Sequence, residues 1–411
     1  MEHGIVAEDV LENICHRMFG CDFVLRSPVL HEPSGDKELT DVLILLDDIA
    51  ISIQSKSMLI NIDEINDIVL QRIKKRYIKA KYQLNQTLNA HMRESDVSGC
   101  TPLDIRIKID WGYIKHRIGL VTLHLRDNLY NDPEARFQIP YAIEDHRGIV
   151  VHTFLLNDLA QMQNELFSAA DFIRYLQIRE QVWRKQSLFI LGNELDFLAA
   201  YKTQYDVIEA YLNDEIQGLS IQPGLWEDYI TEHQEKIEDR KKRFSKSWYI
   251  EYFIRELNTA VQHGIDTRSL SYQDSAQGYL RIIGKLGKLT RMERTEIGIM
   301  LEKKIEKTQK ALFGYCLYYS KSADIAYLFL LVNDDDRERR LAFLAELGDQ
   351  ACRRLECKEL VGIATAGAKM KSSSIDAALF DVDMIRATEP DQDVKQLFGD
   401  SEYKRINEWD S

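Results

Sequence analysis

Residues 35–56, GDKELTDVLILLDDIAISIQSK, decide how this chain reads. Val42 to Leu46 and Ala50 to Ser55 are two short apolar runs, and Asp47-Asp48 between them supplies turn chemistry, so the stretch is expected to fold as a hairpin. Asp41 then stands at the mouth of the first strand, with Gln54 and Lys56 near the end of the second. Strand side chains alternate between faces, so Gln54 and Lys56, two residues apart, point the same way. A carboxylate, an amide oxygen and an ammonium are thereby expected to converge at one end of the hairpin. Oxygen ligands suit Mg²⁺, and a lysine beside them can orient or activate a water.

Working outward toward the N-terminus, Val6, Val10, Ile14 and Met18 recur at helical spacing through residues 5–19. Gly20 ends that helix, and Phe23 to Val29 reads as a strand. On the other side, residues 64–92 form one long amphipathic segment. Ile68, Ile73, Tyr77 and Leu84 are expected to make its apolar contacts, while Arg72, Lys74, Lys75, Arg76, Lys79 and Lys81 crowd its other sides. That basic face suits phosphate or solvent. Gln83, in the same helix, is a candidate to support the ligands from behind. Further strands are expected at Leu103 to Ile109, Ile118 to Leu125 and Ile149 to Leu155.

At Asp41 and Gln54-Ser55-Lys56 the chain resembles the PD-(D/E)xK nuclease superfamily, in its restriction-endonuclease-like branch with a Q-x-K ending. The similarity covers about the first 125 residues. No proline immediately precedes Asp41, and the amide Gln54 stands where an acid is commoner. The resemblance implies an αβββαβ core and a metal-dependent endonuclease that hydrolyses DNA phosphodiester bonds, with Mg²⁺ or Mn²⁺ as cofactor, in a bacterial restriction, repair or phage-defence setting. RNA is open to the same chemistry. Asp41 would be the main metal ligand, Gln54 a neutral one, and Lys56 the group that orients water. The resemblance also implies an accessory glutamate on the first helix. Glu8 and Glu12, one turn apart, both qualify, and the distance from Glu8 to the Gly20–Phe23 segment looks like the Mrr-type pattern. The competing expectation is a nuclease fold kept without catalysis, as a nucleic-acid-binding or protein-interaction module. Gln54 and the acidic charge balance favour it.

Composition bounds the rest. The chain has 411 residues, 45% hydrophobic and 29% charged, and a formal net charge of −13. That balance excludes a nucleic-acid coat over the whole surface and leaves only local basic patches. Six cysteines without C-x-x-C pairs read as reduced thiols of a cytoplasmic protein. With no charged-then-apolar leader and no apolar run near 18 residues, neither secretion nor membrane spanning is expected.

The fold class is therefore expected to be mixed α/β (α+β). A nuclease-like domain should occupy residues 1–156, a mainly helical region 157–320, a small β-α-β module 321–387, and a polar tail 388–411. A fragment of about residues 1–160 would then carry every candidate ligand. The helical run after Asn157 is expected to be capped by Asn157 or Asp158. Pro223-Gly224 punctuates the middle, and long helices follow over Trp226 to Val261 and Ala276 to Leu317. The block Arg240, Lys241, Lys242, Arg243, Lys246, Trp248, Tyr249, Tyr252 reads chiefly as a solvated helix side with buried aromatics. The helical and C-terminal parts are the surfaces left for a second copy or a partner protein. Gly278 to Lys288 lacks P-loop spacing, and Cys15, His16 and Cys21 lack a fourth zinc ligand.

Overall fold

The computed structural model describes residues 2–59, 66–102, 104, 106–137, 143–185, 188–190, 192–262, 276–308, 313–334, 336–355, 357–366 and 375–387. It is a mixed α/β protein of two compact units, residues 1–241 and 242–411. The expected boundaries at 156 and 320 fall inside these units, and the tail from 388 lies outside the described residues.

The first unit opens with α1 (Glu2–Phe19), β1 (Val24–Arg26), β2 (Val29–Leu30) and β3 (Lys37–Glu38). The hairpin β4 (Val42–Leu46) and β5 (Ile49–Met58) follows, then α2 (Asp67–Met92). After these come β6 (Val97–Cys100), β7 (Arg106–Lys108), β8 (His116–Leu125), α3 (Asp127–Tyr130), α4 (Pro133–Phe137), β9 (Glu144–His146) and β10 (Ile149–Leu155). A six-stranded sheet runs β1-β4-β5-β8-β10-β9. Its first three strands are antiparallel, β8 lies parallel to β5, and β10 parallel to β8. A parallel neighbour needs a crossover connection, and α2 lies in the one between β5 and β8. The short strands β3-β2-β6-β7 form a separate small sheet.

Each helix adheres through one stripe. On α1 the buried positions are Ala7, Leu11, Ile14, Cys15 and Met18, whereas Val10 is only half-buried. On α2 they are Val69, Ile73, Tyr77, Ala80, Leu84 and Leu88, packed with Val121, Leu123 and Val151 of the sheet. Ile68, expected in that stripe, is 63% exposed, and Val69 takes its place. Asn66 fixes this phase, since its side chain caps α2 by accepting from the Ile68 and Val69 N–H groups.

The helical run after β10 differs from its expected form. It is split into α5 (Leu156–Met162) and α6 (Ala169–Arg184), with Ser168 capping the second by accepting from the Asp171 N–H. Neither Asn157 nor Asp158 is a cap. Asp158 lies inside α5, fully buried, accepting from the Tyr130 hydroxyl at 2.7 Å. Then come β11 (Leu188–Ile190), α7 (Glu194–Thr203), α8 (Tyr205–Leu212), β12 (Leu219–Ile221), α9 (Leu225–Glu232) and α10 (Gln234–Phe244). Of these helices, α5 and α6 pack on the six-stranded sheet. Phe172 of α6 meets Phe19 of α1 edge-on at 5.4 Å and lies 6.1 Å from Phe154 of β10. A cut near residue 160 would therefore pass through α5 and strip apolar cover from α1.

The second unit holds α11 (Trp248–Gln262), α12 (Ala276–Gly287) and α13 (Arg291–Thr308). A four-stranded sheet follows, in the order β13 (Phe313–Ser320), β14 (Ile325–Val332), β15 (Glu359–Ala366) and β16 (Ile375–Asp381). The helix α14 (Arg337–Arg354) joins the parallel pair β14–β15 as the β-α-β reading expected, and α15 (Val382–Ala387) closes the unit. The helix expected to reach Leu317 stops at Thr308. Residues Phe313 to Ser320, FGYCLYYS, are rich in aromatics and pair antiparallel with β14 instead.

The basic–aromatic block is largely consumed locally. Arg240 bonds the Glu165 carboxylate and the Tyr229 hydroxyl, Lys246 pairs with Glu302 at 2.6 Å, and Trp248 stacks on Tyr249 at 4.2 Å. Lys285, in the glycine-rich stretch, is buried in α12 and bonds Glu359 at 2.6 Å. No helix among the described residues is long and apolar enough to cross a membrane, and none of the six cysteines is in a disulfide.

Candidate active site

The end of the β4–β5 hairpin carries the candidate residues because β5 outruns β4. Their pairing stops at Val42 opposite Ile53, while β5 continues along β8 to Met58 opposite Leu125. Asp41 sits one residue before the ladder, beside the stretch Gln54 to Lys56 that has lost its β4 neighbour. Its position is fixed from several sides. The Asp41 carbonyl accepts from the Ser27 N–H at 3.0 Å, and the Thr40 hydroxyl donates to the Ile53 carbonyl at 2.8 Å. From α2, the Thr87 hydroxyl donates to the Leu39 carbonyl at 2.5 Å.

The Asp41 carboxylate is 9% exposed. Its Oδ2 accepts from the Ser55 N–H at 2.6 Å, and the Gln54 amide also donates to it. Burial raises its proton affinity above the usual aspartate range, and the Lys56 ammonium and the two hydrogen bonds only partly counter this. Lys56 is half-buried and donates from Nζ to the Ser55 carbonyl at 2.8 Å. Gln54 is 4% exposed, on the same strand face as Lys56.

The two helix glutamates have different neighbours. Glu12 accepts from Arg26 Nη1 at 2.7 Å, and Arg26 also holds Asp9 at 2.9 Å. Glu8 lies within electrostatic reach of Asp41, Glu38, Arg26 and Lys56. Desolvation, then the negative charges of Asp41 and Glu38, raise its proton affinity, and Arg26 and Lys56 oppose that rise. The four candidates Glu8, Asp41, Gln54 and Lys56 are thus neighbours, while Glu12 is committed to Arg26.

Several contributors escape sequence reasoning. Glu38 adds a third nearby carboxylate and accepts from the Ser27 hydroxyl at 3.2 Å. Its only sequence signal is proximity to Asp41, since one exposed glutamate among others carries no pattern. Beneath the site, His91 of α2 meets Ser52 at 3.2 Å and stacks at 4.1 Å on Trp111. Burial, then Arg117, pushes its pKa down to about 3, so His91 is a neutral core group and no proton carrier at neutral pH. Gln83, expected from the sequence to support the ligands from behind, lies one turn before Thr87 on α2, but its buried Oε1 bonds none of them and has no hydrogen-bond partner among the described residues.

Among the described residues, no three His, Cys, Asp or Glu side chains are arranged to hold a metal ion. The donor set is instead the Asp41 and Glu8 carboxylates, the first adding to the raised proton affinity of the second, with the Gln54 amide bonded to Asp41. Such a set fits a hard cation that takes one or two carboxylates and completes its shell with water and substrate phosphate, the usual habit of Mg²⁺. Gln54 tests this fit. Gln54→Glu should tighten Mn²⁺ binding by adding a charge to the donor set, yet lower the melting temperature without metal, because a second carboxylate would be buried against Asp41. Gln54→Leu should weaken Mn²⁺ binding. Calorimetric titration and melts of the three proteins check both; equal Mn²⁺ affinity in all three removes Gln54 from the site.

No protein family, no curated protein and no solved structure matches this chain.

Proposed function

We propose that this protein is a metal-dependent nuclease hydrolysing DNA phosphodiester bonds, with Glu8, Asp41, Gln54 and Lys56 as its active site. The observation that supports this reading is the Asp41 carboxylate held by the Ser55 N–H and the Gln54 amide beside Lys56 where β5 runs past β4, with Glu8 within electrostatic reach. The order helix, three antiparallel strands, helix, parallel strand around them is the one the nuclease resemblance implies.

Glu8 and Asp41 would hold Mg²⁺ or Mn²⁺ through carboxylate oxygens, with Gln54 offering its amide oxygen. When bound, the ion supplies Lewis-acid polarisation of the phosphoryl group and favours ionisation of water. Asp41 is preorganised for its part, because the Ser55 N–H and the Gln54 amide fix its orientation. Lys56, adjacent on the same strand, orients the attacking water and offsets charge that builds on the phosphate.

The raised proton affinities of Asp41 and Glu8 give a pH signature. A protonated carboxylic acid is a poor metal ligand, so cleavage should fall as pH is lowered. The fall should begin above the range of ordinary carboxylates, and added Mn²⁺ should shift it downward by competing with the proton. A cleavage profile unchanged down to about pH 4, near the reference carboxylate values, contradicts this assignment.

A second reading draws on the same hydrogen bonds. Gln54 satisfies Asp41 internally, as expected of a nuclease-like fold that binds nucleic acid or a protein partner without cutting. Incubating supercoiled and linear DNA with the full chain in Mg²⁺, Mn²⁺ or EDTA, beside Asp41→Ala, separates the two. Metal-dependent cleavage lost in the variant supports the nuclease. Binding without cleavage under every condition supports the second reading.

A further inference from the structure

We infer that the groove between the end of β5 and the first half of α2 is a track for the phosphate backbone of the nucleic acid that enters the candidate site. The groove encloses about 400 Å³ and is lined by Met58, Arg72, Lys75, Arg76 and Lys79. The choice of nucleic acid as occupant rests on the nuclease reading above; the groove itself does not.

Three observations carry the inference. Continuity is the first. Met58 lies two residues beyond Lys56 and four beyond Gln54 on one strand, so all three share a face, and the groove starts about 7 Å along β5 from the lysine. Charge is the second. Arg72 to Lys81 holds six cations and no acid in a chain of net charge −13. Of these, only Lys81 forms an ion pair among the described residues, with Glu144. Arg72, Lys75, Arg76 and Lys79 are all exposed, and as residues i, i+3, i+4 and i+7 they form one ridge beside the buried stripe of Val69, Ile73, Tyr77 and Ala80.

Shape and length are the third. The four cations span about 10 Å of helix, which at 3.4 Å per nucleotide along a strand matches about three phosphates. A groove with one cationic wall, on α2, and an apolar one at Met58 suits a strand better than it suits a flat bilayer. Thermodynamically, each phosphate neutralised releases condensed counterions, so the track should appear as salt dependence of binding.

The test is binding of a fluorescein-labelled 20-base-pair duplex to the full chain in EDTA, followed by anisotropy across a salt series. Wild type is compared with the quadruple variant Arg72→Gln, Lys75→Gln, Arg76→Gln, Lys79→Gln, and with Lys74→Gln, an exposed cation outside the groove. The expected result is a log–log salt slope shallower by about 3 units in the quadruple variant and affinity at least about tenfold weaker near 100 mM salt. Lys74→Gln should keep the wild-type slope, and unchanged melting temperatures would show all three proteins folded. Equal slopes in wild type and quadruple variant overturn the track even if the wild type cleaves DNA. Conversely, a lost slope in a chain that never cleaves keeps the track and removes the nuclease. Vesicles with 30% anionic lipid form a parallel arm; loss of binding there but not to DNA would make the groove a membrane contact and overturn the inference.

Discussion

Replacing Asp41 with Asn is expected to reduce metal-dependent cleavage by at least about 10²–10³-fold, the scale on which one preorganised electrostatic group contributes to catalysis. The fold should not weaken with it. The Asp41 carboxyl has its proton affinity raised by burial, so the folded chain binds that proton more tightly than the unfolded chain. Between the two pKa values the native state carries more protons, and stability falls as pH rises through that window. At neutral pH the ionised carboxylate is therefore a net cost to the metal-free fold. Asparagine removes the charge while its Oδ1 can still accept from the Ser55 N–H. Asp41→Asn should melt at or above the wild-type temperature at pH 7.5 in EDTA, and the difference should vanish once acid has neutralised the wild-type carboxyl. Loss of cleavage with a lower melting temperature at pH 7.5 would mean that Asp41 is a structural ion rather than a strained ligand.

The second large effect lies in the helices that cover the sheet. Arg179 of α6 and Glu194 of α7 are fully buried and form a two-point ion pair, Nε to Oε1 at 2.9 Å and Nη2 to Oε2 at 3.0 Å. Tyr175 donates to the same Glu194 carboxylate, and Arg179 Nη1 reaches His152 Nδ1 on β10 at 3.2 Å. Burial, then the charges of Arg179 and Arg184, drive the pKa of His152 well down, so the ring is neutral and accepts that bond. The guanidinium also lies 4.9 Å from the Phe154 ring and 4.5 Å from the Trp183 ring.

Arg179→Met would leave a buried carboxylate without its counter-charge, a situation that typically costs 3–5 kcal/mol. Arg179→Met combined with Glu194→Met removes both charges and should recover most of the loss. Hydrogen exchange of peptides from β10, α6 and α7 reports the outcome: all three should lose protection together in the single variant. Loss confined to α6 would mean that these helices are not one cooperative body with the sheet.

Sequence alone determined the features that one element can carry by itself. The hairpin at 42–58 was legible because two apolar runs flank an acidic turn, and Asp47 takes the left-handed backbone, φ 52°, that a short polar side chain tolerates. Helix α2 was legible from its amphipathic period, and the strand–helix–strand unit of residues 325–366 from an unbroken apolar run before an acidic helix start. The adjacency of Gln54 and Lys56 followed from the two-residue strand repeat. Each of these signals is local, set by backbone geometry and side-chain spacing.

What only the tertiary structure decided depends on partners distant in the chain. Arg26, fourteen residues from Glu12, draws that glutamate away and leaves Glu8 beside Asp41. The end of the β4 ladder at Val42 leaves Gln54 to Lys56 without a β4 neighbour, and no pattern in either strand announces where pairing stops. Helical periodicity also continues across residues 163–168, so the sequence showed one helix where Ser168 starts a second. The tie between Arg179 and Glu194 was hidden for the same reason: arginine and glutamate on separate helices look solvated until burial joins them. Long-range pairing and desolvation set those outcomes, and neither leaves a period in a one-dimensional sequence.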